Sequence, residues 1–399
     1  MSLPNLDKID LKNKKVILRA DLNVPTKEGE ILDNSRILSL LPTIDYLIQK
    51  GASIVLISHF GRPKGKVAAE LSLKQILPTL EKCWKKSIFF AEDCIGPHAQ
   101  QATQNLKSGE IVLLENLRFH PEEEENDLHF AQELAKLGDL YVNDGFAVSH
   151  RAHASVHAIT QYLPSFPGLL MTKEINALSQ ALQAPQRPLA AIVAGSKVST
   201  KLDLLKNLLS KVDILMLSGG IANTFLKARH IEIGTSLYEP SMLETTREIE
   251  KLAHEKQVEI VLPVDATGTF ETDKIMTLNL SHIPQEFKIL DIGPETISLF
   301  KSKLNQVRTL VWNGPLGVFE IPPFDQGTTA LAQAVAELSR HQKLFSIAGG
   351  GETLAALAQA KSTHDFSYLS TAGGAFLEWL EGKDLPGIKA LIESNPKAC

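Results

Sequence analysis

Three consecutive glycines followed by a carboxylate form the stretch of this chain whose residue types most clearly suggest chemistry, residues 349–353. An apolar run precedes them and an alanine-rich run follows, which predicts a short strand, a tight turn and a helix. Such a turn lets the backbone approach a ligand, and helix N-termini bind anions. Glu352 would repel a bound phosphate unless a cation lay between them, and Mg²⁺ is the usual cation there. Alternatively, Glu352 only complements the helix dipole.

Arginine is scarce in the first half of the chain and occupies one kind of position. Residues 1–186 contain five arginines, each in a turn after a strand-like run or at a helix start. Arginine presents a planar fork that fits carboxylate and phosphate oxygens two at a time. If these turns share one edge of a sheet, the arginines predict a site for a small, highly charged anion; the alternative is separate surface ion pairs. They are Arg19, Arg36, Arg62, Arg118 and Arg151.

The second half of the chain repeats a strand, a glycine turn and a helix. Lys197 and Lys201 follow the first turn and, four residues apart, would share one face of a helix. Several glycine turns on one sheet make a broad phosphate-binding surface, although glycines also end ordinary helices. The motifs G-x-x-x-x-G-K-[ST] and G-x-G-x-x-G do not occur. Their absence argues against P-loop NTPases and dinucleotide-binding dehydrogenases.

Strand-like and helical runs alternate along the chain, which predicts parallel α/β sheets. An amphipathic helix over residues 169–183 is interpreted as the connector between two domains, because the pattern changes after it. In the first half, strands are predicted at 16–18, 54–57, 111–114 and 140–142, with helices from about 36 to 50 (capped by Asn34 or Ser35), 73–86 and 128–137. In the second half, strands are predicted at 189–193, 214–217, 310–312, 346–348 and 366–369, with helices at 221–227 and 375–381.

Other polar groups in the first half are less specific. His150 and His153 resemble a metal-ligand pair, but no third ligand is obvious, so we expect caps or hydrogen-bonding partners of the anion. The glutamates at 122–125 predict a solvated loop. Asp21 and Asn23 are candidates either to bind substrate hydroxyl groups or to orient Arg19.

Composition limits the class of protein. A chain of 399 residues predicts two or three domains, and 44% hydrophobic with 22% charged residues is typical of globular proteins. The net charge of -5 argues against nucleic-acid or membrane-surface partners. Three scattered cysteines predict neither a disulfide framework nor a zinc site, and suit a reducing compartment. Without an apolar signal region or bilayer-length apolar run, we expect a cytoplasmic protein.

Two halves with different anion sites predict phosphoryl transfer between a nucleotide donor and an anionic acceptor. This reaction needs charge neutralisation and in-line positioning, which basic residues, helix N-termini and a metal supply. A carboxylate acceptor is already deprotonated, so the lack of an obvious general base is expected. Separate sites also require domain closure, which excludes water from an acyl phosphate.

Ten sequence motifs in order resemble the phosphoglycerate kinase family over essentially the whole chain. They are RADLNVP, SRI, SHFGRP, ENLRFH, NDGFAVSHRAH, GSKVSTK, SGGIANTFLKA, VWNGPLGVFE, AGGGET and STAGGAFLEWLEG. The resemblance implies reversible transfer between ATP and 3-phosphoglycerate, in glycolysis and gluconeogenesis. It also implies a monomer of two Rossmann-like domains, each a parallel sheet flanked by helices. The expected domains are 1–168, which binds phosphoglycerate and receives the tail 383–399, an interdomain helix at 169–184 with a hinge, and 185–382, which binds nucleotide.

The resemblance also implies site residues. Arg36 resembles the arginine that stabilises the phosphoryl group in flight, and Arg19 matches a further basic-patch arginine. The phosphoglycerate site is expected at Asp21, Leu22, Asn23, Arg36, His59, Phe60, Gly61, Arg62, Arg118 and Arg151.

On the nucleotide side, Lys201 resembles the lysine on the phosphates, with Lys197 nearby, and Glu320 the acid that holds the ribose. Glu352 is the expected magnesium contact, through Mg²⁺ bound to ATP or ADP. The catalytic set is Arg36, Lys197, Lys201, Gly350 and Gly373, with Gly374 beside it. The nucleotide set is Lys201, Gly219, Gly220, Asn313, Pro315, Glu320, Gly349, Gly350, Gly351, Glu352 and Thr353.

Two departures from the family pattern affect the nucleotide side. Glu352 stands where the family commonly has aspartate, which moves the carboxylate by about one bond length and can alter Mg²⁺ geometry. Ala372 removes backbone freedom beside the transferred phosphate. Two alternatives remain: a two-domain binding protein that closes on an anion without chemistry, and a different small-molecule kinase of the same domain plan.

Overall fold

The computed structural model describes residues 3–27, 30–270 and 274–394. The described chain forms two compact units. Residues up to Ile175, together with those from Asp384 on, form the first unit, and Asn176–Lys383 form the second. The boundary therefore falls within one helix, Leu169–Leu182. No helix of the described ranges combines the length and apolar character needed to cross a membrane.

The first unit is built on a six-stranded parallel sheet of order β5-β6-β4-β1-β7-β8. Its central strands are rich in valine, isoleucine and leucine and are buried on both faces, as in sheets covered by helices on each side. The strands are β1 (Lys15–Arg19), the short antiparallel pair β2 (Thr26–Lys27) and β3 (Glu30–Ile31), β4 (Ser53–Ile57), β5 (Ile88–Ala91), β6 (Ile111–Leu114), β7 (Leu140–Asn143) and β8 (Ser165–Pro167). The helices are α1 (Ser35–Ser39), α2 (Leu41–Gln49), α3 (Leu77–Trp84), α4 (Gly96–Gln104), α5 (Leu128–Ala135) and α6 (Leu169–Leu182).

Two helices predicted as continuous are interrupted. The predicted helix from about residue 36 to 50 is divided at Leu40 into α1 and α2, because Pro42 has no N–H to donate to the carbonyl of Leu38. Pro78 acts in the same way at the start of α3, and residues 73–76 form a 3₁₀ turn instead.

The cap predicted for the first helix is also different. Asn34 occupies the N-cap position but makes no side-chain cap hydrogen bond. Asp33 accepts from the N–H of Ser35 instead, at 2.8 Å.

The second unit contains a six-stranded parallel sheet of order β11-β10-β9-β15-β16-β17. Its central strands β9 and β15 are fully buried, and their apolar side chains form the core with helices on both faces. The strands are β9 (Leu189–Ala194), β10 (Ile214–Ser218), β11 (Glu259–Val261), β12 (Asp265–Thr269), β13 (Ile275–Asn279), β14 (Lys288–Ile292), β15 (Thr309–Asn313), β16 (Phe345–Gly349) and β17 (Tyr368–Ser370). The helices are α7 (Leu202–Leu208), α8 (Gly219–Ala228), α9 (Leu243–Glu255), α10 (Pro294–Leu304), α11 (Gln326–Arg340), α12 (Gly351–Gln359) and α13 (Gly374–Leu380).

The second unit also contains an antiparallel sheet that the sequence analysis did not predict, of order β13-β12-β14. The last helix, α14 (Pro386–Glu393), belongs to the first unit, where it contacts β8 and the turn Ala158–Gln161. The predicted fold class, two parallel α/β sheets flanked by helices, is confirmed.

Parallel pairing brings the carboxyl ends of the strands to one edge of each sheet. In the first unit, Arg19 at the end of β1 lies in register with Ile57 of β4 and Asn143 of β7. The loops after these strands therefore leave the sheet together, and such an edge is where ligands bind in open α/β sheets.

Candidate active site

Arg36 connects two of the predicted substrate contacts in the first unit. Its Nη1 donates to the Asp21 carboxylate at 2.8 Å and to the Asn23 carbonyl at 2.9 Å. The Asn23 side chain accepts from the N–H of Gly61 at 2.9 Å. Arg118 Nη1 donates to the Gly61 carbonyl, also at 2.9 Å. Hydrogen bonds thus bring together five of the residues predicted for the phosphoglycerate site.

Arg118 lies in a short 3₁₀ helix, Leu117–Phe119, whose position is set by Asn116. The Asn116 side chain is fully buried and accepts from the N–H groups of Phe60 and Arg118, each at 3.1 Å. It also donates to the Phe60 carbonyl at 2.7 Å. One buried amide therefore ties the loop after β4 to the loop after β6, which positions Arg118 beside Gly61.

Arg19 is fully buried and belongs to a polar network under the site. Its Nε donates to the Ser155 hydroxyl at 2.9 Å, and its Nη2 lies 3.2 Å from His59 Nδ1. Ser155 in turn donates to both carboxylate oxygens of Glu123, through its hydroxyl at 2.6 Å and its N–H at 2.8 Å. The predicted solvated loop at 122–125 is thus wrong for Glu123, which has no exposed surface. The sequence could not reveal this, because the neighbouring glutamates 124 and 125 are exposed.

Positive charge converges on two buried histidines of the first unit. Burial lowers the pKa of His59 well below its ordinary value, and the charges of Arg19 and Arg118 lower it further. Burial and the same two arginines, followed by Arg151, lower the pKa of His153 to about 3. Both histidines are therefore neutral at physiological pH, so this edge keeps its positive charge on arginine. Such a concentration of positive charge attracts anions.

The remaining first-unit candidates differ in exposure. Arg62 and Arg151 are exposed, and Arg151 Nε lies 3.3 Å from a ring nitrogen of His150. The side chains of Leu22 and Phe60 are buried in the hydrophobic core. The N–H of Leu22 donates to the Ser58 hydroxyl at 3.0 Å. Leu22 and Phe60 therefore anchor their loops to the core through buried side chains. Their predicted contact with substrate stays a prediction.

The second unit contains a cavity of about 570 Å³ beside its glycine turns. Leu237, Leu316 and Val318 are among its apolar lining residues, and Glu320 and Glu352 are among its polar ones. Ligand pockets of this size are mostly apolar, with a few polar groups that fix orientation. Further predicted nucleotide residues in its lining are Gly219, Gly220 and Pro315.

Lys201 lies at the carboxyl ends of β9 and β15. Its Nζ donates to the Ala194 carbonyl at 2.5 Å and lies 3.4 Å from the Asn313 carbonyl. Burial lowers its pKa to about 8, although the Glu352 carboxylate acts in the opposite direction. Lys197 is exposed, and α7 begins only after Lys201, so the predicted shared helical face of these two lysines is wrong. The segment Ser199–Lys201 forms a 3₁₀ turn instead.

The triple-glycine turn is fixed by two polar side chains. Asn313 Nδ2 donates to the Gly349 carbonyl at 2.9 Å, and the Thr353 hydroxyl accepts from the N–H of Gly314 at 2.8 Å. Gly350 has a φ of 102°, which side chains rarely adopt, and forms the N-cap of α12. Asn313 Oδ1 is buried and has no hydrogen-bond partner within the described chain. Asn313 and Thr353 thus hold the turn in place.

The glycine turn after β17 is accessible to solvent. Gly373 has a φ of 50°, Gly374 begins α13, and both remain accessible. Ala372 precedes them without a positive φ, so its side chain brings no backbone strain to the turn.

One buried carboxylate at the cavity was not anticipated. Asp291 lines the cavity and accepts from the N–H groups of Gly327 at 2.7 Å and Ile292 at 2.9 Å. Burial raises its pKa to about 7. It lies at the end of β14 in the antiparallel sheet, and no motif of the sequence indicated that sheet.

Comparison with known proteins identifies the family. The family model described as phosphoglycerate kinase matches residues 6–383. The chain belongs to the phosphoglycerate kinase family. The predicted enzyme class, a phosphotransferase with a carboxyl group as acceptor, is thereby confirmed.

Full-length relatives agree with this assignment. Curated phosphoglycerate kinases of Caulobacter sp. (strain K31) and Azorhizobium caulinodans are 48% and 50% identical to this chain. The alignments cover 98% and 97% of this chain, and 100% and 98% of those relatives. The structure of phosphoglycerate kinase from Coxiella burnetii is similar, with a TM-score of 0.92 and 44% identity over 98% of this chain and 99% of that one. The phosphoglycerate kinase from Pyrococcus horikoshii OT3 gives a TM-score of 0.82 at 31% identity, with the same coverage of the two chains.

Proposed function

We propose that this enzyme catalyses reversible, magnesium-dependent phosphoryl transfer between ATP and the carboxylate of 3-phosphoglycerate, giving ADP and 1,3-bisphosphoglycerate. The observation that carries the proposal is the convergence of Arg19, Arg36 and Arg118 on the buried, neutral His59. A doubly anionic acceptor with a phosphate at one end and a carboxylate at the other suits several fork-shaped donors in one site.

The first unit would bind and orient the acceptor. Asp21 and Asn23 would accept from its hydroxyl group or hold Arg36, to which both are hydrogen-bonded. Arg62, Arg118 and Arg151 would contact its phosphate. The acceptor carboxylate needs no general base, so Arg36 contributes by neutralising the charge of the transferred phosphoryl group.

The second unit would bind the nucleotide along its apolar cavity. Glu320 would accept from the ribose hydroxyls, and the phosphates would lie across the turns at Gly219, Gly350 and Gly373, with Lys201 donating to them. Lys197, which is exposed on the same loop, would approach the phosphates from solvent.

The donor set beside the glycine turn fits a magnesium ion carried by the nucleotide. Glu352 supplies one carboxylate at the cavity, close enough to Lys201 to shift its pKa, and Mg²⁺ typically uses one or two carboxylates with phosphates and waters. When bound, the ion neutralises phosphate charge. The extra methylene of Glu352 is within side-chain reach of that role.

Transfer between separate sites requires domain closure, which would also exclude water from the acyl phosphate. We propose that the enzyme acts as a cytoplasmic monomer in glycolysis and gluconeogenesis. Its N-terminal domain (1–168, with the tail 383–399) would bind phosphoglycerate and its C-terminal domain (185–382) nucleotide, with the helix at 169–184 between them. Of the tail, residues 395–399 lie outside the described residues.

A coupled assay tests the reaction. ADP formation from ATP is measured with and without 3-phosphoglycerate and Mg²⁺, while a glyceraldehyde-phosphate dehydrogenase consumes the acyl phosphate. Turnover that requires both additions is expected. Binding of both ligands without turnover would instead support a binding protein, and turnover with another acceptor a different kinase.

Replacing Glu352 by glutamine tests the magnesium contact. Glu352→Gln removes the charge and keeps the length, so we expect the Mg²⁺ concentration for half-maximal rate to rise by about tenfold or more. Restoring the family's residue with Glu352→Asp should keep the wild-type requirement. An unchanged Mg²⁺ requirement and turnover in Glu352→Gln would show that Glu352 does not contact the metal.

A further inference from the structure

Three potential metal ligands meet at a place in the first unit that the proposed reaction does not use. Asp93 and Cys94 follow β5, and His120 follows the short helix Leu117–Phe119. One ligand atom from each of the three lies within 4.8 Å of the other two. Among the described residues, no other group of three histidine, cysteine or acidic side chains has its ligand atoms this close together.

The ligand types indicate which cation would bind. Thiolate and imidazole prefer borderline-soft ions such as Zn²⁺, whereas Mg²⁺ and Ca²⁺ prefer oxygen ligands. Zinc–sulfur and zinc–nitrogen bonds of about 2.0–2.3 Å place tetrahedral ligand atoms roughly 3.5 Å apart. The three ligand atoms lie within 4.8 Å of one another, so small side-chain movements bring them to that spacing. Three protein ligands leave one position for water.

The charge of Asp93 and the partial exposure of the cluster favour a cation between these groups. The side chains of Asp93 and His120 are 39% and 27% exposed, whereas Cys94 is fully buried beside them. The two partly exposed ligands are therefore accessible to an ion from solvent. The Cys94 N–H donates to Asp93 Oδ1 at 2.7 Å, so the Asp93 carboxylate lies next to the thiol and would stabilise a dication there.

The hydrogen bond between Asp93 and His120 marks the place of the ion. Their Oδ1 and Nε2 atoms lie 2.7 Å apart and are joined by a hydrogen bond. A metal ion bound by both atoms would take the place of the bridging hydrogen. The Phe130 ring packs against the imidazole with centroids 5.3 Å apart and restricts its movement.

We propose that Asp93, Cys94 and His120 form a binding site for a divalent cation of the zinc class. On binding, the Cys94 S–H bond breaks, a sulfur–metal bond forms and the proton leaves to solvent. His120 binds as neutral imidazole and Asp93 as carboxylate. No oxidant or reductant is needed. Because protons are released, the affinity rises with pH.

A cobalt titration of the full chain tests the site. The chain contains three cysteines, so the variant with Cys83→Ser and Cys399→Ser has Cys94 as its only thiol. We expect one equivalent of Co²⁺ to produce a thiolate-to-cobalt charge-transfer band, which Zn²⁺ abolishes and Mg²⁺ leaves unchanged. The matched variant Cys94→Ser, which retains Cys83 and Cys399, should give no band.

His120→Gln provides a second arm, because its partly exposed side chain can change without loss of the fold. Its cobalt affinity should fall more than about tenfold, since even loss of an outer-shell partner costs that much. Absence of the band in the Cys94-only protein, or the same band in a folded Cys94→Ser protein, would overturn the proposal. If Cys94→Ser does not fold, an unchanged affinity in His120→Gln would overturn it.

Discussion

Glu123 places a carboxylate at a fully buried position of the first unit. Its carboxylate accepts two hydrogen bonds from Ser155, whose hydroxyl also accepts from the Arg19 guanidinium. Burial raises the pKa of Glu123, and Arg19 acts against that change. The glutamate therefore supplies the counter-charge that allows a fully buried arginine under the anion site.

Removing Glu123 should destabilise the first unit. Glu123→Ala leaves Arg19 without its counter-charge and Ser155 without its acceptor, so we expect the free energy of unfolding to fall by about 3–5 kcal/mol. Denaturant unfolding measures this change. Glu125→Ala, in the same acidic run but exposed, is the matched control and should change it by less than about 0.5 kcal/mol. Equal effects of the two would show that the buried network contributes nothing.

Lys201 should give nucleotide binding a pH dependence. Its pKa of about 8 means that the ammonium group loses its proton as the pH rises through that value, and with it the attraction for phosphate. Calorimetry one unit below and one unit above this pKa should show ADP affinity falling by up to about tenfold. Lys201→Arg keeps its charge over this range, so its affinity should stay constant. A wild-type fall that Lys201→Arg reproduces would assign the effect to another group.

The lowered pKa of Lys201 makes the stability of the fold rise with pH, whereas it makes nucleotide affinity fall. The pKa of Lys201 is lower in the folded chain than the ordinary value of 10.5, so the unfolded chain binds more protons between these two values. Stability rises with pH wherever the unfolded state binds more protons. The contribution of Lys201 to the free energy of unfolding therefore increases above about pH 8.

Among the elements, the turn after β15 depends strictly on glycine. Gly314 has a φ of 100°, and a Cβ added there would lie 2.0 Å from the Ala194 carbonyl oxygen and 3.0 Å from Lys201 Nζ. The turn can therefore approach β9 and Lys201 only because it has no side chain at this position.

Gly314→Ala should both destabilise the second unit and displace Lys201. Left-handed backbone strain and a clash with main-chain atoms together predict a loss of about 2–4 kcal/mol in the free energy of unfolding. Gly351→Ala is the matched control, because an added Cβ there meets no atom within 4 Å. Its stability should be unchanged or slightly higher. If Gly314→Ala had the same free energy of unfolding as the Gly351→Ala control, the close approach of the turn to β9 would not contribute to stability.

Prediction from sequence succeeded where one local signal determined the element. Buried strands such as β4 and β6 have continuous apolar runs, which are typical of a parallel sheet covered on both faces. The divided helices also carry a local signal, the prolines at 42 and 78, each of which ends the preceding helical hydrogen-bond pattern. The strands β12–β14 lack such continuous apolar runs, and β13, which alternates exposed and half-buried residues, lies at the edge of its sheet.

The candidate site was predictable in part for the same reason. Arginines and glycines in the predicted loops indicate anion binding by their residue type alone, and the family motifs include these same residues. The buried carboxylates of Glu123 and Asp291 depend instead on partners 32 and 36 residues away, Ser155 and Gly327. A sequence read locally gives no sign of such partners.

Across the whole molecule, each ligand should stabilise its own unit. A ligand that binds only the folded state at a hundredfold excess over Kd adds about 2.7 kcal/mol. We expect 3-phosphoglycerate to slow hydrogen exchange at the Arg62 and Arg118 loops, and ADP to slow it near Lys201 and Thr353. Exchange mass spectrometry with each ligand alone measures this. Protection of the Arg118 loop by ADP alone, at an equal degree of saturation, would contradict the assignment of ligands to units.

The chain completes its first unit with its last helix. The N–H of Gly387 in α14 donates to the Ser149 carbonyl at 2.9 Å, and a Cβ on Gly387 would lie 2.6 Å from the Val156 side chain. During synthesis on a ribosome, β1 to β8 emerge long before α14, while all of the second unit is still to be translated. The nascent first unit thus remains one helix short until α14 is translated, and a product stalled or truncated before α14 would expose the surface that α14 covers to chaperones and proteases.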